Sequence, residues 1–166
     1  MHVPTVPLGD DAAMELRHLL SIAIDPAQPS MLGDFPMGDR RLITFRSGTF
    51  EGIFDGAPLR GALADGGVDW QTMRGDGAIE IDAHYLLRTD QDEPIEVRSI
   101  GLRVMAAEVA ARMAAGEVVD PSEYYFRTHI RLHTSTPRLA RLNRTIFLSS
   151  GERRLDHVAI HIHEVS

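Results

Sequence analysis

RGDGAIEIDAHYLLRTDQDEPIEVRSIGLR, residues 74–103, carries the alternation that decides the fold. Ile79, Ile81, Ala83, Tyr85 and Leu87 fall on one side of an extended chain, and Glu80, Asp82, His84 and Arg88 on the other. Successive side chains of a strand point to opposite faces, so this is a period of two. TDQDEP has turn chemistry, and Ile95, Val97 and Ser99 resume the apolar row on a returning strand. One apolar face and one polar face predict an antiparallel sheet with a core on one side and water on the other.

Working outward, the same period recurs. Leu16, His18, Leu20, Ile22 and Ile24 share one face of a first strand. Pro26, Pro29 and Gly33 then mark a loop. RRLITFRSGTFEG reads as a long strand bent at Gly48, and Leu59 to Ala64 as a short one. YYFRTHIRLHT alternates again, with Phe126, Thr128, Ile130 and Leu132 set against Tyr125, Arg127, His129, Arg131 and His133. TPRLARLNR suits a helical or 3₁₀ turn, and TIFLSSGERR with HVAIHIHEV a last hairpin. One helix is predicted over about 104–115, where Met105, Val109 and Met113 recur at spacing four and Gly116 provides a stop. About eight to ten short strands with a single helix favour a barrel or sandwich over a parallel α/β sheet. Residues 1–13 read as an arm without period, and 14–166 as a single β domain.

The totals exclude several chemistries. The chain has 166 residues, is 43% hydrophobic and carries a formal net charge of −7, which suits one globular domain and argues against a nucleic-acid or acidic membrane surface. It has no Cys, and all 17 basic residues are Arg. A thiol nucleophile, a disulfide, a lysine Schiff base and covalent pyridoxal phosphate are therefore ruled out. No GxGxxG after a strand, P-loop, GxSxG or HExxH occurs. The expectation is no cofactor and no metal, a small-molecule ligand, and a homo-oligomer as an open possibility. No secretory pattern or long apolar run is evident, so the default location is the cytoplasm.

GTFEG, LRGALADGGVDW, YLLRTD, DPSEYYFRT and LNRTIFLSSGERR, in this order, resemble the family called domain of unknown function 3237, also known as uncharacterised protein family 0311. The resemblance spans roughly Met14 to Val165. It implies a closed antiparallel barrel of the calycin kind crossed by a helix, and no established activity. Glu51, Asp69, Trp70, Tyr85, Tyr124, Tyr125, Arg127 and Asn143 are among the positions that carry it. His129, His133, His161 and His163 are not.

Each candidate residue has a functional and a structural reading. Gly66 and Gly67 allow positive φ and would aim Asp69 and Trp70. Asp69 then serves as a general base or caps a turn, and Trp70 stacks on a flat ligand or plugs the barrel end. Tyr85 lies on the apolar face, so its hydroxyl needs a ligand, a water or Ser99 as partner. Arg103 shares the parity of Ile95, Val97 and Ser99, which suits a carboxylate or phenolate ligand or an end-of-barrel salt bridge. Glu51 is a pocket acid only if the bend at Gly48 inverts its strand. Tyr125 and Arg127 would touch ligand, tie the helix connection to the barrel, or meet Asp82 or Glu123 in an ion pair, and Tyr124, ahead of the strand, could reach a barrel mouth. Asn143 would bind ligand or bond local backbone. The histidines fall on polar strand faces, which reads as solvated surface rather than a metal centre. Together these predict a cofactor-independent acid/base enzyme (isomerase, lyase, hydratase or cyclase) on a hydrophobic or aromatic substrate, with a non-catalytic carrier or sensor as the alternative.

Overall fold

The computed structural model describes residues 13–166; the arm predicted over 1–13 lies, apart from Ala13, outside the described residues. The chain forms β1 (Leu16–Pro26), β2 (Ser30–Phe35), β3 (Gly38–Phe54), β4 (Ala57–Leu63), β5 (Val68–Met73), β6 (Ile79–Thr89), β7 (Pro94–Met105), α1 (Ala107–Ala114), β8 (Tyr124–His133), β9 (Phe147–Arg153) and β10 (Val158–Val165). A 3₁₀ turn at Pro121–Glu123 precedes β8, and a 3₁₀ helix at Pro137–Arg144 joins β8 to β9.

All pairings are antiparallel, and the ring closes where β1 pairs both β10 and β3. Two positions in the ring are broken strands. β1 and β2 lie along one edge of β3, separated by the Pro26–Pro29 interruption. β4 and β5 lie along its other edge and both pair β6, separated at Ala64–Gly67. Ten segments thus make a closed antiparallel barrel of eight strands. Closure satisfies the backbone groups that an open sheet would leave at its edges.

The inward rows are those the alternation assigned. Leu20, Ile22, Ile81, Leu87, Ile95, Val97, Ile130, Leu132 and Ile162 are buried, while their sequence neighbours are mostly exposed or half-buried. One end of the barrel is closed by the 3₁₀ helix, whose Leu139 and Leu142 are fully buried. At the other end, Met105, Val109 and Met113 pack against the core, but α1 itself buries no residue completely.

Three local expectations need correction. The segment 30–35, read as loop, is β2. Its prolines lie just outside it, so they break the strand line without preventing its pairing with β3. The helix is shorter than predicted, because Val104 and Met105 still pair with Tyr125 and Tyr124 in the β7–β8 ladder; Gly116, at φ 85°, does follow its end. A register shift between His18 and Leu20 breaks the parity of β1. A bulge inserts one residue and inverts the faces beyond it. His18 therefore leaves the core row and bonds Ser21 Oγ at 2.9 Å on the outside.

Candidate functional site

The inner face turns polar near the α1 end of the barrel. There a cavity of about 70 Å³ is lined by the polar side chains of Asp69, Gln71, Tyr85, Ser99, Arg103 and Arg153, set among the apolar Ile24, Ile43, Phe45, Ile81, Ala83, Phe126, Val158 and Ile160. Ile43, Phe45, Arg103, Arg153 and Val158 keep some accessible surface, which marks the way in.

Strand parity brings the polar set together. Asp69 and Gln71 are alternate residues of β5, so both point inward. The break before β5 sets their depth. Gly66 takes φ 94°, the left-handed turn expected of it. Gly67 is there for another reason: an added Cβ would lie 2.8 Å from the Phe45 ring and 2.9 Å from Tyr85 Cβ. Its missing side chain is the space into which these two rings meet edge to face, with centroids 5.5 Å apart.

Asp69 is buried. It accepts a hydrogen bond from Gln71 Nε2 at 2.5 Å and one from the Asp82 amide at 3.2 Å. Arg41 Nε donates to Gln71 Oε1 at 2.8 Å, so the amide relays between cation and carboxylate. Burial raises the Asp69 pKa above the ordinary carboxylate range; the Gln71 and Asp82 hydrogen bonds and the charges of Arg103 and Arg41 offset only part of that. Burial first, and the Asp69 charge second, push the Tyr85 phenol far above its usual value. Tyr85 therefore stays protonated and can only donate to, or accept from, a partner as a neutral hydroxyl. Ser99 does not fill that role: its Oγ donates to Thr128 Oγ1 at 2.8 Å, and Thr128 Oγ1 lies 2.7 Å from Ser149 Oγ.

Arg103 points inward, as its parity predicts, with its guanidinium 5.9 Å from the Phe126 ring centroid. Its Nε is buried without a partner. Burial, then the charges of Arg41 and Arg153, lower its pKa to about 10, with Asp69 and Tyr124 opposing. Tyr124 is buried beside this group, and its hydroxyl accepts from the Arg153 amide at 2.9 Å. Sequence reasoning missed Gln71, Arg41 and Arg153. The alternation held the signal for Gln71, two residues from Asp69; the two arginines sit at strand ends where the pattern fades.

The other candidates lie elsewhere. Trp70 is 42% exposed on the outer wall, opposite in parity to Asp69, with Arg40 5.7 Å over its ring. It neither plugs the barrel nor lines the cavity. Glu51 is exposed and sits across from Arg60 in the β3–β4 ladder, so Gly48 does not invert the strand. Tyr125 and Arg127 face outward and stack on each other at 5.6 Å. Neither meets Asp82 or Glu123, whose partners are Arg98 and Arg112. Asn143 holds local backbone, accepting from Thr134 N at 2.8 Å and donating to Thr134 O at 3.0 Å. Tyr125 and Arg127 line an outer groove of about 650 Å³ with Leu16, His129, Leu148 and His163. Water reaches its polar groups, so it lacks the desolvation that strengthens charge–charge effects.

The histidines of the described strands lie on outer faces. His84 bonds Glu96 at 2.7 Å, and Ser21 Oγ lies 2.8 Å from His161 Nδ1. Among the described residues, no group of three or more His, Cys, Asp or Glu could hold a metal ion.

The family model described as protein of unknown function, DUF3237, matches residues 14–165. The chain belongs to this family. Its relatives include a UPF0311 protein of Rhodopseudomonas palustris, 30% identical over 92% of this chain and 97% of the relative, and one of Clostridium acetobutylicum, 31% identical over 92% and 95%. The crystal structure of an R. palustris protein of unknown function matches with TM-score 0.86 at 30% identity, covering 93% of this chain and 99% of that one. A protein of Acinetobacter baumannii described as β-barrel like matches with TM-score 0.78 at 33% identity, over 93% and 97%. A structure described as an enzyme from Penicillium herquei matches at 18% identity with TM-score 0.70, over 99% and 100%, which speaks to the fold alone. No helix among the described residues is long and apolar enough to cross a membrane.

Proposed function

We propose that this DUF3237 protein is a small-molecule enzyme that moves a proton on a hydrophobic or aromatic substrate, as an isomerase, lyase, hydratase or cyclase does. The observation that carries this reading is a buried carboxylate, Asp69, with a raised pKa, in the same cavity as a neutral phenol, Tyr85, and a guanidinium, Arg103. A carrier needs only a dry hollow. A buried acid whose pKa is raised by desolvation, beside two oxyanion-stabilising groups, is what proton transfer needs.

In this reading Asp69 accepts a proton from a C–H or O–H of the substrate. The electron pair left behind is delocalised onto a substrate oxygen, which the Tyr85 hydroxyl and the Arg103 guanidinium stabilise. Asp69 then returns the proton to a different atom, so the carboxylate is regenerated. The absence of Lys, Cys and nucleotide-binding motifs agrees with acid/base chemistry by side chains of this kind. Since about 150 Å³ is needed to enclose a benzene-sized guest, the cavity of about 70 Å³ takes the reacting end, and the rest of the substrate lies toward Ile43 and Val158.

The test begins with native mass spectrometry of the protein from its source and extraction of whatever co-purifies. With that compound in hand, Asp69→Asn is expected to keep binding and to lose about a hundredfold or more in turnover. Tyr85→Phe is expected to lose turnover with little loss of stability. Full turnover by Asp69→Asn would refute the proposal. Tight binding with no turnover by the unaltered protein would identify a carrier.

A further inference from the structure

We propose that the cavity is built for an anion: it takes the ionised oxygen of an apolar or aromatic carboxylate or phenolate, with Arg103 and Arg153 as its cationic partners. This deepens the proposed function and rests on the cavity being a ligand site.

The argument is an imbalance of charge and of hydrogen-bond donors. Three guanidiniums, those of Arg41, Arg103 and Arg153, gather at this end of the barrel. Asp69 is the one carboxylate lining the cavity, and its oxygens accept from Gln71 Nε2 and the Asp82 amide rather than from a guanidinium. Each guanidinium has five N–H donors. Arg41 uses its Nε on Gln71. Among the described residues, no side-chain hydrogen bond to protein is made by Arg103 or Arg153, and Arg103 Nε is shut away from water. Leaving donors of a charged group unmet inside a protein is costly.

Arg40, whose Nε is also buried without a partner, is a useful contrast. Its guanidinium lies over the rings of Phe35 and Trp70 on the outer wall, at 5.6 and 5.7 Å. Arg103 has one ring, Phe126, and two other cations. A planar oxyanion would accept from the arginines and offset their mutual repulsion in one step. The apolar part of the lining, with Ile24, Ile81, Phe126 and Ile160, offers nothing to a second polar group. The body that carries the oxyanion is therefore apolar, and the narrowness of the cavity favours a flat group over a phosphate.

The experiment uses three probes: benzoate, its neutral isostere benzamide, and 4-nitrophenol at a pH just below its own pKa. Binding is followed by calorimetry and by amide chemical shifts at Ser99 and Tyr85. Benzoate is expected to bind about tenfold or more tighter than benzamide. Enrichment of the visible phenolate band of 4-nitrophenol on binding would point to phenolate as the natural group. Arg103→Gln is expected to cut the preference for anions about tenfold. If that variant fails to fold, the more accessible Arg153→Gln gives the same comparison. Benzamide bound as tightly as both anions, or an anion preference unchanged in a folded variant, overturns the assignment and leaves the cavity standing as a site. Silence from all three probes, with no shift at Ser99 or Tyr85, overturns the cavity reading as well.

Discussion

At the scale of single residues, Asp69 ties stability to chemistry. Its folded-state pKa lies above the unfolded value, because burial penalises the charged form. The folded state therefore holds the proton more tightly, and stability falls as pH rises through that window. Asp69→Asn removes the titration. Relative to the unaltered protein, its melting temperature is expected to improve as pH is raised from about 4 to about 7. A difference in melting temperature that stays flat over this range would mean that Asp69 titrates normally. Tyr85 and Arg103 were legible as inward residues because the alternation of their hairpin is clean, and Asp69 was singled out only through the Gly66-Gly67 turn before it, since the short strand it lies on was not read. Trp70 and Glu51 were misplaced for one reason. A distinctive residue type attracts a functional reading, yet parity with Asp69 and Phe50 already put both on the outer wall. Arg41 and Arg153 were not legible, since an arginine at a strand end usually meets water and only ring closure turns these two toward one hollow.

Among the elements, strands and breaks differed in legibility. The long hairpin β6–β7 was plain, whereas β2 was hidden by flanking prolines and the inversion in β1 by a one-residue bulge that no composition signals. The 3₁₀ helix at 137–144 stands out as the piece that seals the end opposite the cavity. Leu139 and Leu142 are inserted fully, and Asn143 pins the segment to Thr134 through two hydrogen bonds. Leu139→Ala is expected to cost about 2–5 kcal/mol, and Asn143→Ala about 1 kcal/mol, in urea unfolding. Neither should alter benzoate affinity, because the two ends of the barrel are separately packed. A Leu139→Ala protein with unchanged stability would show that the helix is not a plug.

For the whole molecule, the ring depends on one long-range seam. Residues 16–24 of β1 pair with 158–165 of β10, and Glu15 and Ser166 exchange backbone hydrogen bonds at 3.0 Å each way. A chain ending at His157 lacks β10 and leaves β1 and β9 with bare edges. It is expected to elute as oligomers or aggregate and to lose its near-ultraviolet dichroism; a monomer with a cooperative melt would contradict the closed ring. The seam also sets a timetable for the nascent polypeptide. Its first strand leaves the ribosome well before its last, and a ladder that joins such distant segments is slow to form. In the interval β1 has only β3 beside it and offers its other side to any passing strand, a hazard that grows with the pace of synthesis.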